Sequence, residues 1–388
     1  MANIKIIFFV RNDFYSQFGG DTVQVEKTRQ FLLQKFNLDI KIICDNGNVN
    51  IDEDFDILHV WGINASPFLD KILENAKKNK KKIILSSIYW DVSHSLFLKY
   101  FIGPVLNNNL FPFLEKCNKL FEYLIMIPVA AIVPKYRKKT CYICGSKKFK
   151  KYRRSSISAS DYIIPNSDEE GELLCKDIGL DYKKIENKFI PIPNAVDVSK
   201  LNFECTEKIL PELNNFVIEA AGIEPLKNQL SIVKALMNKK DIPIVFAGAV
   251  RNEKYYNEIK KLAEKRGNVY FTGKIDEKQL FDLYKRAHVH VLASFRESPG
   301  LVTIEALMNN CQIVVSNEKF CPLKYYKFDK YGFVCNPYDI NSIKNAILEA
   351  YNNPKDIKLP EEYFDFYSYE NAANMTYNVY ERVLGEKQ

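Results

Sequence analysis

Two cycles of alternating strand-like and helix-like segments limit what this chain can fold into. The first cycle opens with the apolar run "IKIIFFV" (residues 4–10), which is typical of a strand buried on both faces of a parallel sheet. A loop with Gly19 and Gly20 follows, and then a helical pattern in which Asp21 and Gln24 have capping-box spacing. Further apolar runs alternate with a lysine-rich helix. This order predicts a doubly wound α/β domain.

The second cycle begins after "KFIPIPNAVDVSKLNF" (188–203), a segment whose composition favours turns. Its strand-like runs are "NFVIEAAG", "IPIVFAG", "VYFTG", "HVHVLASF" and "QIVVSN". We therefore predict one Rossmann-like domain over residues 1–197 and a second over residues 198–367, facing a central ligand cleft at the carboxyl ends of the strands. The last helical stretch, about 368–386, packs either on its own domain or back on the first.

Composition indicates a soluble globular protein. The 388 residues are 47% hydrophobic and 27% charged, which argues against a disordered or collagen-like chain. The N-terminal apolar run is short and lacks the cleavage pattern of a signal peptide. The longest apolar stretch, "LIMIPVAAIVP" (124–134), is shorter than the ~18 residues of a membrane-spanning helix. We expect a cytoplasmic protein without a transmembrane segment.

Nine cysteines are scattered along the chain, which suggests reduced thiols. Only Cys141 and Cys144 have metal-like spacing, and no second pair of that spacing follows in the sequence. Because a structural zinc site usually needs four ligands, we interpret them as loop cysteines and expect no bound metal.

A basic segment follows the apolar stretch. Residues 135–154 contain ten Lys or Arg and no acid. Such a run forms either a solvated face or, with the neighbouring apolar residues, a peripheral contact with an anionic membrane surface. Nucleic acid is the weaker alternative, since no nucleic-acid-binding motif accompanies the run. We assign residues 96–155, approximately, to a basic and apolar insertion in the first domain.

The stretch "ASFRESPGLVTIEAL" (293–307) joins the end of a strand-like run to a helical pattern. Ser298 and Pro299 suit an N-cap and a first helical position. The amides at the start of this predicted helix belong to Gly300, Leu301 and Val302. Amides in that position favour an anion, most simply a diphosphate.

Two glutamates flank this predicted anion site. Glu297 precedes the helix and Glu305 lies almost two turns into it, about 10 Å further along the axis. Because carboxylates repel phosphates, we expect both to accept hydrogen bonds from hydroxyl groups on either side of a diphosphate. A nucleotide sugar has that arrangement. The alternative is a capping glutamate and a surface glutamate without a shared ligand.

The stretch "ESPGLVTIEA" resembles the E-x7-E motif of retaining glycosyltransferases with the GT-B fold, in particular glycosyltransferase family four. Other segments typical of that family occur in the expected order: "IPNAVD", "GIEPLKNQ", "FAG" and "FTGKIDEKQLFDLYKRAHVHVLAS". The segments "GGDTVQVEKT" and "LSSIYWD" are similar to those of bacterial surface-polysaccharide enzymes. The resemblance covers nearly the whole chain and is weakest from about 95 to 155.

The resemblance implies roles for residues of the second domain. Glu297 would bind hydroxyls of the donor sugar near the reacting carbon, and Glu305 would hold the ribose. Lys227 would contact the diphosphate, with Asn228 beside it. The nucleotide base would lie near Lys274.

The resemblance also assigns residues of the first domain. Gly20, next to Gly19, would let a loop close over the phosphates. Many relatives have a histidine where this chain has "IYWD", so Tyr89, Trp90 and Asp91 become the acceptor-side residues. His94 is nearby, although a lone histidine is more often structural.

One departure from the family concerns the phosphate site. The family usually has an arginine five positions before the lysine, where this chain has Gly222. One cation of the expected diphosphate clamp is therefore missing. Arg251, Lys274 and Arg296 are the candidates to replace it.

These features predict a retaining, metal-independent glycosyltransferase without a cofactor. It would move a sugar from a nucleotide-diphosphate donor, UDP-linked in preference to GDP-linked, to a hydroxyl of a glycan or lipid-linked acceptor in capsule, O-antigen or other surface-polysaccharide synthesis. A degenerate nucleotide-sugar-binding protein is the first alternative, motivated by Gly222. A GT-B nucleotide-sugar epimerase is the second. It needs acid-base residues around the sugar, whereas His288 and His290 alternate within a buried strand.

Overall fold

The structure is a computed structural model that describes residues 3–16, 19–90, 147–202 and 204–385. The described chain divides into two units, each with its own parallel sheet. The first unit contains the described residues of 1–90, 141–197 and 361–388, and the second those of 198–360. The predictions for Asp91, His94, Cys141, Cys144 and most of the 96–155 insertion lie outside the described residues.

The first unit has a five-stranded sheet of order β2-β1-β3-β4-β5. Its strands are β1 (Ile4–Val10), β2 (Leu38–Cys44), β3 (Ile57–Trp61), β4 (Lys82–Ser86) and β5 (Tyr162–Ile164). Its helices are α1 (Gly20–Lys35), α2 (Leu69–Lys78), α3 (Lys147–Ala159), α4 (Asp168–Ile178), α11 (Glu361–Phe366) and α12 (Tyr369–Gly385). All pairings are parallel.

Strand β1 is buried on both faces, and its successive side chains point into the hydrophobic cores on opposite sides of the sheet. Phe8 lies in one hydrophobic core and Phe9 in the other. Helix α12 completes the first of these cores, where Tyr380 packs in the same cluster as Phe8. The Tyr380 hydroxyl also lies 2.7 Å from Nδ1 of His59. The C-terminal helix is therefore part of the first unit.

The second unit has a six-stranded sheet of order β11-β10-β9-β6-β7-β8. Its strands are β6 (Phe216–Ala220), β7 (Ile244–Ala247), β8 (Val269–Gly273), β9 (Ala287–Leu292), β10 (Gln312–Ser316) and β11 (Phe333–Cys335). Its helices are α5 (Gln229–Ala235), α6 (Glu253–Arg266), α7 (Glu277–Arg286), α8 (Leu301–Met308), α9 (Phe328–Tyr331) and α10 (Ile340–Asn352). This is the doubly wound order, which reverses between β6 and β9.

The chain enters the second unit after residue 197 and leaves it after residue 360, earlier than the 367 expected from sequence. The reason is that α11 and the residues that follow it, Tyr367 and Ser368, belong to the first unit. The amide of Val196 donates to the Tyr367 carbonyl over 2.8 Å, and Val196 pairs with Ser368 in a parallel bridge.

Two helix starts differ from the sequence prediction. Helix α8 begins at Leu301 with Gly300 as its N-cap in a left-handed conformation, so Ser298 and Pro299 precede the helix and do not start it. Helix α1 begins at Gly20, and the Asp21 carboxylate binds Arg11 over 2.9 Å instead of capping. In both cases a glycine takes the position given to a polar side chain. Within the described ranges no helix is long and apolar enough to cross a bilayer.

Candidate functional site

The site of the second unit lies where its strand order reverses. Loops leave the carboxyl ends of β6 and β9 at this point, and such a crevice is the usual ligand position in a doubly wound sheet. The β6 loop contains Lys227 and Asn228, and the β9 loop contains Glu297. The amide of Phe295 donates to the Leu226 carbonyl over 3.0 Å, which joins the two loops.

Lys227 and Glu297 form an ion pair across this position. Nζ of Lys227 lies 2.5 Å from Oε1 of Glu297. The side chains are only 20% and 9% exposed, respectively. The Glu297 backbone is held as well, because its amide donates to the Phe320 carbonyl over 2.7 Å. A cation and a carboxylate are therefore fixed side by side in a poorly hydrated position, where charges interact strongly.

Asn228 fixes the loop that carries Lys227. It adopts a left-handed conformation (φ 67°). Its side-chain amide donates to the Ala293 carbonyl over 3.0 Å and to the Pro337 carbonyl over 2.9 Å. Residues 293 and 337 follow β9 and β11, so one buried side chain connects three strand ends.

Gly300 leaves room for the Glu297 carboxyl group at the start of α8. Its φ of 89° is one that side chains rarely adopt, and an added Cβ would lie 2.7 Å from Cδ2 of Leu292 and 3.4 Å from Oε2 of Glu297. The turn before it contains a cis Ser298–Pro299 peptide bond.

The first amides of α8 are those of Leu301 and Val302. Helices leave their first amides without intrahelical acceptors and carry a partial positive charge at that end. This end of α8 adjoins the Lys227–Glu297 pair. The combination of lysine and helix start suits a phosphate group.

Glu305 is the fifth residue of α8, about 6 Å beyond the helix start. The residue as a whole is partly exposed. Burial and, to a lesser degree, the neighbouring Glu277 raise its pKa to about 7, while Lys200 acts in the opposite direction. The later helix start brings Glu305 closer to the beginning of α8 than the sequence indicated.

Glu219 is a residue of this site that the sequence analysis missed. It lies in β6, is 1% exposed, and neither carboxyl oxygen has a hydrogen-bond partner among the described residues. Burial raises its pKa well above the ordinary value; Lys227 opposes that shift and Glu297 adds to it. The available signal was a single acid within the apolar run "NFVIEAAG".

The remaining predicted residues lie elsewhere. Lys274 is exposed directly after β8 in the second unit. Gly19 and Gly20 stand at the start of α1 in the first unit. Tyr89 and Trp90, also in the first unit, are 1% and 5% exposed.

Tyr89 has an internal role in the first unit. Its hydroxyl donates to Asp177 over 2.6 Å, and the guanidinium of Arg153 lies 4.6 Å from the ring centroid. The structure therefore brings Lys227, Asn228, Glu297 and the start of α8 together, with Glu305 further along that helix. Tyr89 contributes to the packing of the first unit.

The histidines of β9 have structural contacts. Nε2 of His290 lies 3.2 Å from Oγ1 of Thr303, and burial lowers its pKa to about 3. Nε2 of His288 lies 3.0 Å from the Tyr351 carbonyl. In the described part of the chain, no three His, Cys, Asp or Glu side chains gather as metal ligands.

Comparisons with known proteins agree with this geometry. Residues 206–366 match the sequence model of the family described as glycosyl transferases group 1. No curated protein matches the chain. The matched segment covers most of the second unit, including the loops with Lys227 and Glu297, and extends into α11.

Solved structures similar to this chain include HepE of Anabaena in complex with UDP, with 12% identity, a TM-score of 0.65 and coverage of 98% of this chain and 100% of that one. Sucrose-phosphate synthase of Thermosynechococcus elongatus has 14% identity, a TM-score of 0.66 and coverage of 98% and 99%. Starch synthase IV of Arabidopsis thaliana, bound to ADP and acarbose, has 13% identity, a TM-score of 0.61 and full coverage of both chains (100% and 100%).

At these identities the likeness shows the fold. It confirms the predicted class, two Rossmann-like α/β units with parallel sheets as in GT-B glycosyltransferases. Together with the family match in the second unit, it supports a glycosyltransferase.

Proposed function

We propose that this protein transfers a sugar from a nucleoside-diphosphate sugar to a hydroxyl group. The observation that carries the proposal is the buried Lys227–Glu297 ion pair beside the first amides of α8, at the reversal point of the second sheet. UDP or ADP occupies two of the similar solved structures, and a nucleoside diphosphate is the ligand class that this site suits.

The ion pair suggests how donor binding exposes the carboxylate. A diphosphate gives Lys227 a second anion to bind, and it can also accept hydrogen bonds from the first amides of α8. As Lys227 turns to the phosphates, the oxygens of Glu297 become acceptors for sugar hydroxyls. In the transfer step, Lys227 and the helix start stabilise the negative charge that develops on the departing diphosphate. Loss of one such group costs about 10²- to 10³-fold in rate.

Glu305 is placed to bind the second hydroxyl-bearing part of the donor, the ribose. A hydroxyl that donates to its carboxylate favours the ionised form. Because the pKa in the unbound protein is about 7, nucleotide affinity should fall when the pH is lowered below that value.

From the sequence resemblance we further propose that the transfer retains the configuration at the anomeric carbon and needs no metal. The donor is UDP-linked in preference to GDP-linked, and the acceptor is a glycan or lipid-linked precursor of a surface polysaccharide. A cytoplasmic location with peripheral contact to an anionic membrane belongs to the same proposal. Its support is the basic run of residues 135–154, of which residues 147–154 lie in α3.

Two measurements test the proposed function. A thermal-shift screen against UDP, ADP, GDP and dTDP sugars should give one strong hit, since a ligand at 100 times its Kd stabilises by ~2.7 kcal/mol. Turnover of that donor should fall at least about 100-fold in Lys227→Ala and in Glu297→Ala.

Lys265→Ala is the matched control, since it removes an exposed lysine from the last turn of α6 and should leave turnover unchanged. Unaltered turnover in both site variants, or a wild-type protein that no donor stabilises, would overturn the proposal.

A further inference from the structure

A second cation lies beside the loop that carries Lys227, and it comes from a different loop. Gly222 follows β6, and Arg251 follows β7. A Cβ added at Gly222 would lie 2.6 Å from Nε, 2.7 Å from Cδ and 3.2 Å from Cγ of Arg251. The arginine side chain therefore occupies the space that any side chain at position 222 would need.

The backbone holds the two loops in this arrangement. Ile223 and Val250 pair in a parallel bridge. The Ile223 carbonyl accepts from the amides of Arg251 and Asn252, both over 3.1 Å, and its amide donates to the Ala249 carbonyl over 2.9 Å. Arg251 is thus fixed against the residue that follows Gly222.

Gly222 also belongs to the loop of the ion pair. Its carbonyl accepts a hydrogen bond from Nε2 of Gln229 over 3.1 Å. That residue directly follows Asn228, which anchors the Lys227 turn. The guanidinium of Arg251 accordingly lies against the segment that carries Lys227.

Arg251 is weakly paired within the protein. Its side chain is 51% exposed, and its one ion pair among the described residues joins a terminal guanidinium nitrogen to Oε1 of Glu224 over 3.8 Å. A charge-assisted hydrogen bond to a carboxylate is normally about 2.7 to 2.9 Å long. Within the described ranges, most N–H groups of this guanidinium therefore remain available to a ligand.

Backbone conformation does not explain a glycine at position 222. The φ angle of Gly222 is not positive, so residues with a side chain could adopt its backbone conformation. Its lack of a side chain matters because of the volume that Arg251 takes. Position 222 has no cation of its own, and Arg251 places one in the adjoining space.

We propose that Arg251 binds the diphosphate of the donor together with Lys227, in place of a cation carried at position 222. This inference rests on the proposed function and identifies a further binding residue for it. A planar guanidinium suits a phosphate because it can donate two parallel hydrogen bonds.

The first experiment is calorimetric titration with UDP, ADP, GDP and dTDP, followed by use of the tightest of these as the probe. Arg251→Ala should raise its Kd by about 10- to 100-fold, the range for a hydrogen bond between charged groups. Lys254→Ala removes an exposed charge one turn further along and should change Kd less than about twofold.

The second experiment moves the cation. Gly222→Arg in the Arg251→Ala background should restore most of the lost affinity. The new arginine side chain can occupy the space that Arg251 has left, and can place its guanidinium there. Gly222→Ala alone should weaken binding by displacing Arg251, but should have no further effect once Arg251 is absent. A purely structural role for Arg251 predicts a lower melting temperature and no restoration.

The outcomes separate the inference from the proposed function. If the wild type binds a nucleoside diphosphate, Lys227→Ala weakens it, and Arg251→Ala leaves it unchanged, the inference is wrong and the proposed function stands. Weaker binding in Arg251→Ala without restoration by Gly222→Arg also overturns it. If the wild type binds none of the four probes, both proposals fall.

Discussion

Two fully buried glutamates, one in each unit, differ in whether their carboxyl groups have hydrogen-bond partners. Glu170 in α4 of the first unit accepts a hydrogen bond from the Ser87 hydroxyl, and its amide donates to Ser167 over 3.1 Å. Glu219 in β6 of the second unit is equally buried, yet its carboxyl oxygens have no hydrogen-bond partner among the described residues. The first carboxyl is paired within the fold, and the second has no such partner in the described part of the chain.

Two arginines repeat the contrast. Arg11, directly after β1, donates to Asp21 over 2.9 Å and to Asp13 over 2.7 Å. Arg251, after β7, has only the distant Glu224 among the described residues. Buried polar groups without partners cost free energy. In the second unit, the buried Glu219 lies near the end of β6, and the half-exposed, weakly paired Arg251 lies against the loop that follows this strand. This indicates where a ligand could supply further contacts.

The largest expected effect is that replacing the two buried glutamates changes the free energy of unfolding in opposite directions. Glu219→Leu should raise the free energy of unfolding by about 1–3 kcal/mol, because it removes an unsatisfied buried group. Glu170→Leu should lower it by a similar amount, because the Ser87 hydroxyl loses its acceptor. Denaturant unfolding of both variants measures the difference. The same sign for both would break the comparison.

The arginines should differ in which property they change. Arg11→Ala should lower the free energy of unfolding by about 1–2 kcal/mol, since two carboxylates lose their partner, and leave the affinity for nucleoside diphosphate intact. Arg251→Ala should leave the free energy of unfolding nearly unchanged and weaken the affinity for nucleoside diphosphate. Melting temperature and calorimetric Kd, measured on both variants, decide the matter. A loss of nucleotide affinity in Arg11→Ala would contradict the assignment of Arg11 to the fold.

A smaller effect concerns pH. Glu305 has an ordinary pKa of 4.5 and a folded pKa of about 7, so the folded protein binds more protons between these values. Stability from this group is complete below about pH 4.5 and decreases as the pH rises to 7. Glu305→Gln should reduce the decrease, by about 1 kcal/mol after allowance for solvent contact. Unfolding measured at pH 5 and pH 8 tests it, and equal slopes for both proteins would refute it.

Hydrophobic pattern and chain order predicted the two sheets because most strands are built around a run of apolar residues, as in β1 and β10. The position of Glu297 next to a helix start was also predictable from local spacing. Glu219 was not, since its significance depends on neighbours far away in sequence, and Arg251 could be named only as one of three candidate cations, with Lys274 and Arg296. Arg251 becomes interpretable only once the β6 and β7 loops are paired, and a glycine at position 222 looks like a loss until its neighbour is known.

The three-strand anchorage of Asn228 has a consequence for the order in which the protein is made. The turn that carries Lys227 is anchored by Asn228 to the carbonyls of residues 293 and 337, and both are synthesised long after it. In a chain still emerging from the ribosome, this anchorage is incomplete until Pro337 has been added and β11 has joined the sheet. If the proposed phosphate site depends on it, the site forms late in translation, when most of the second unit is already complete.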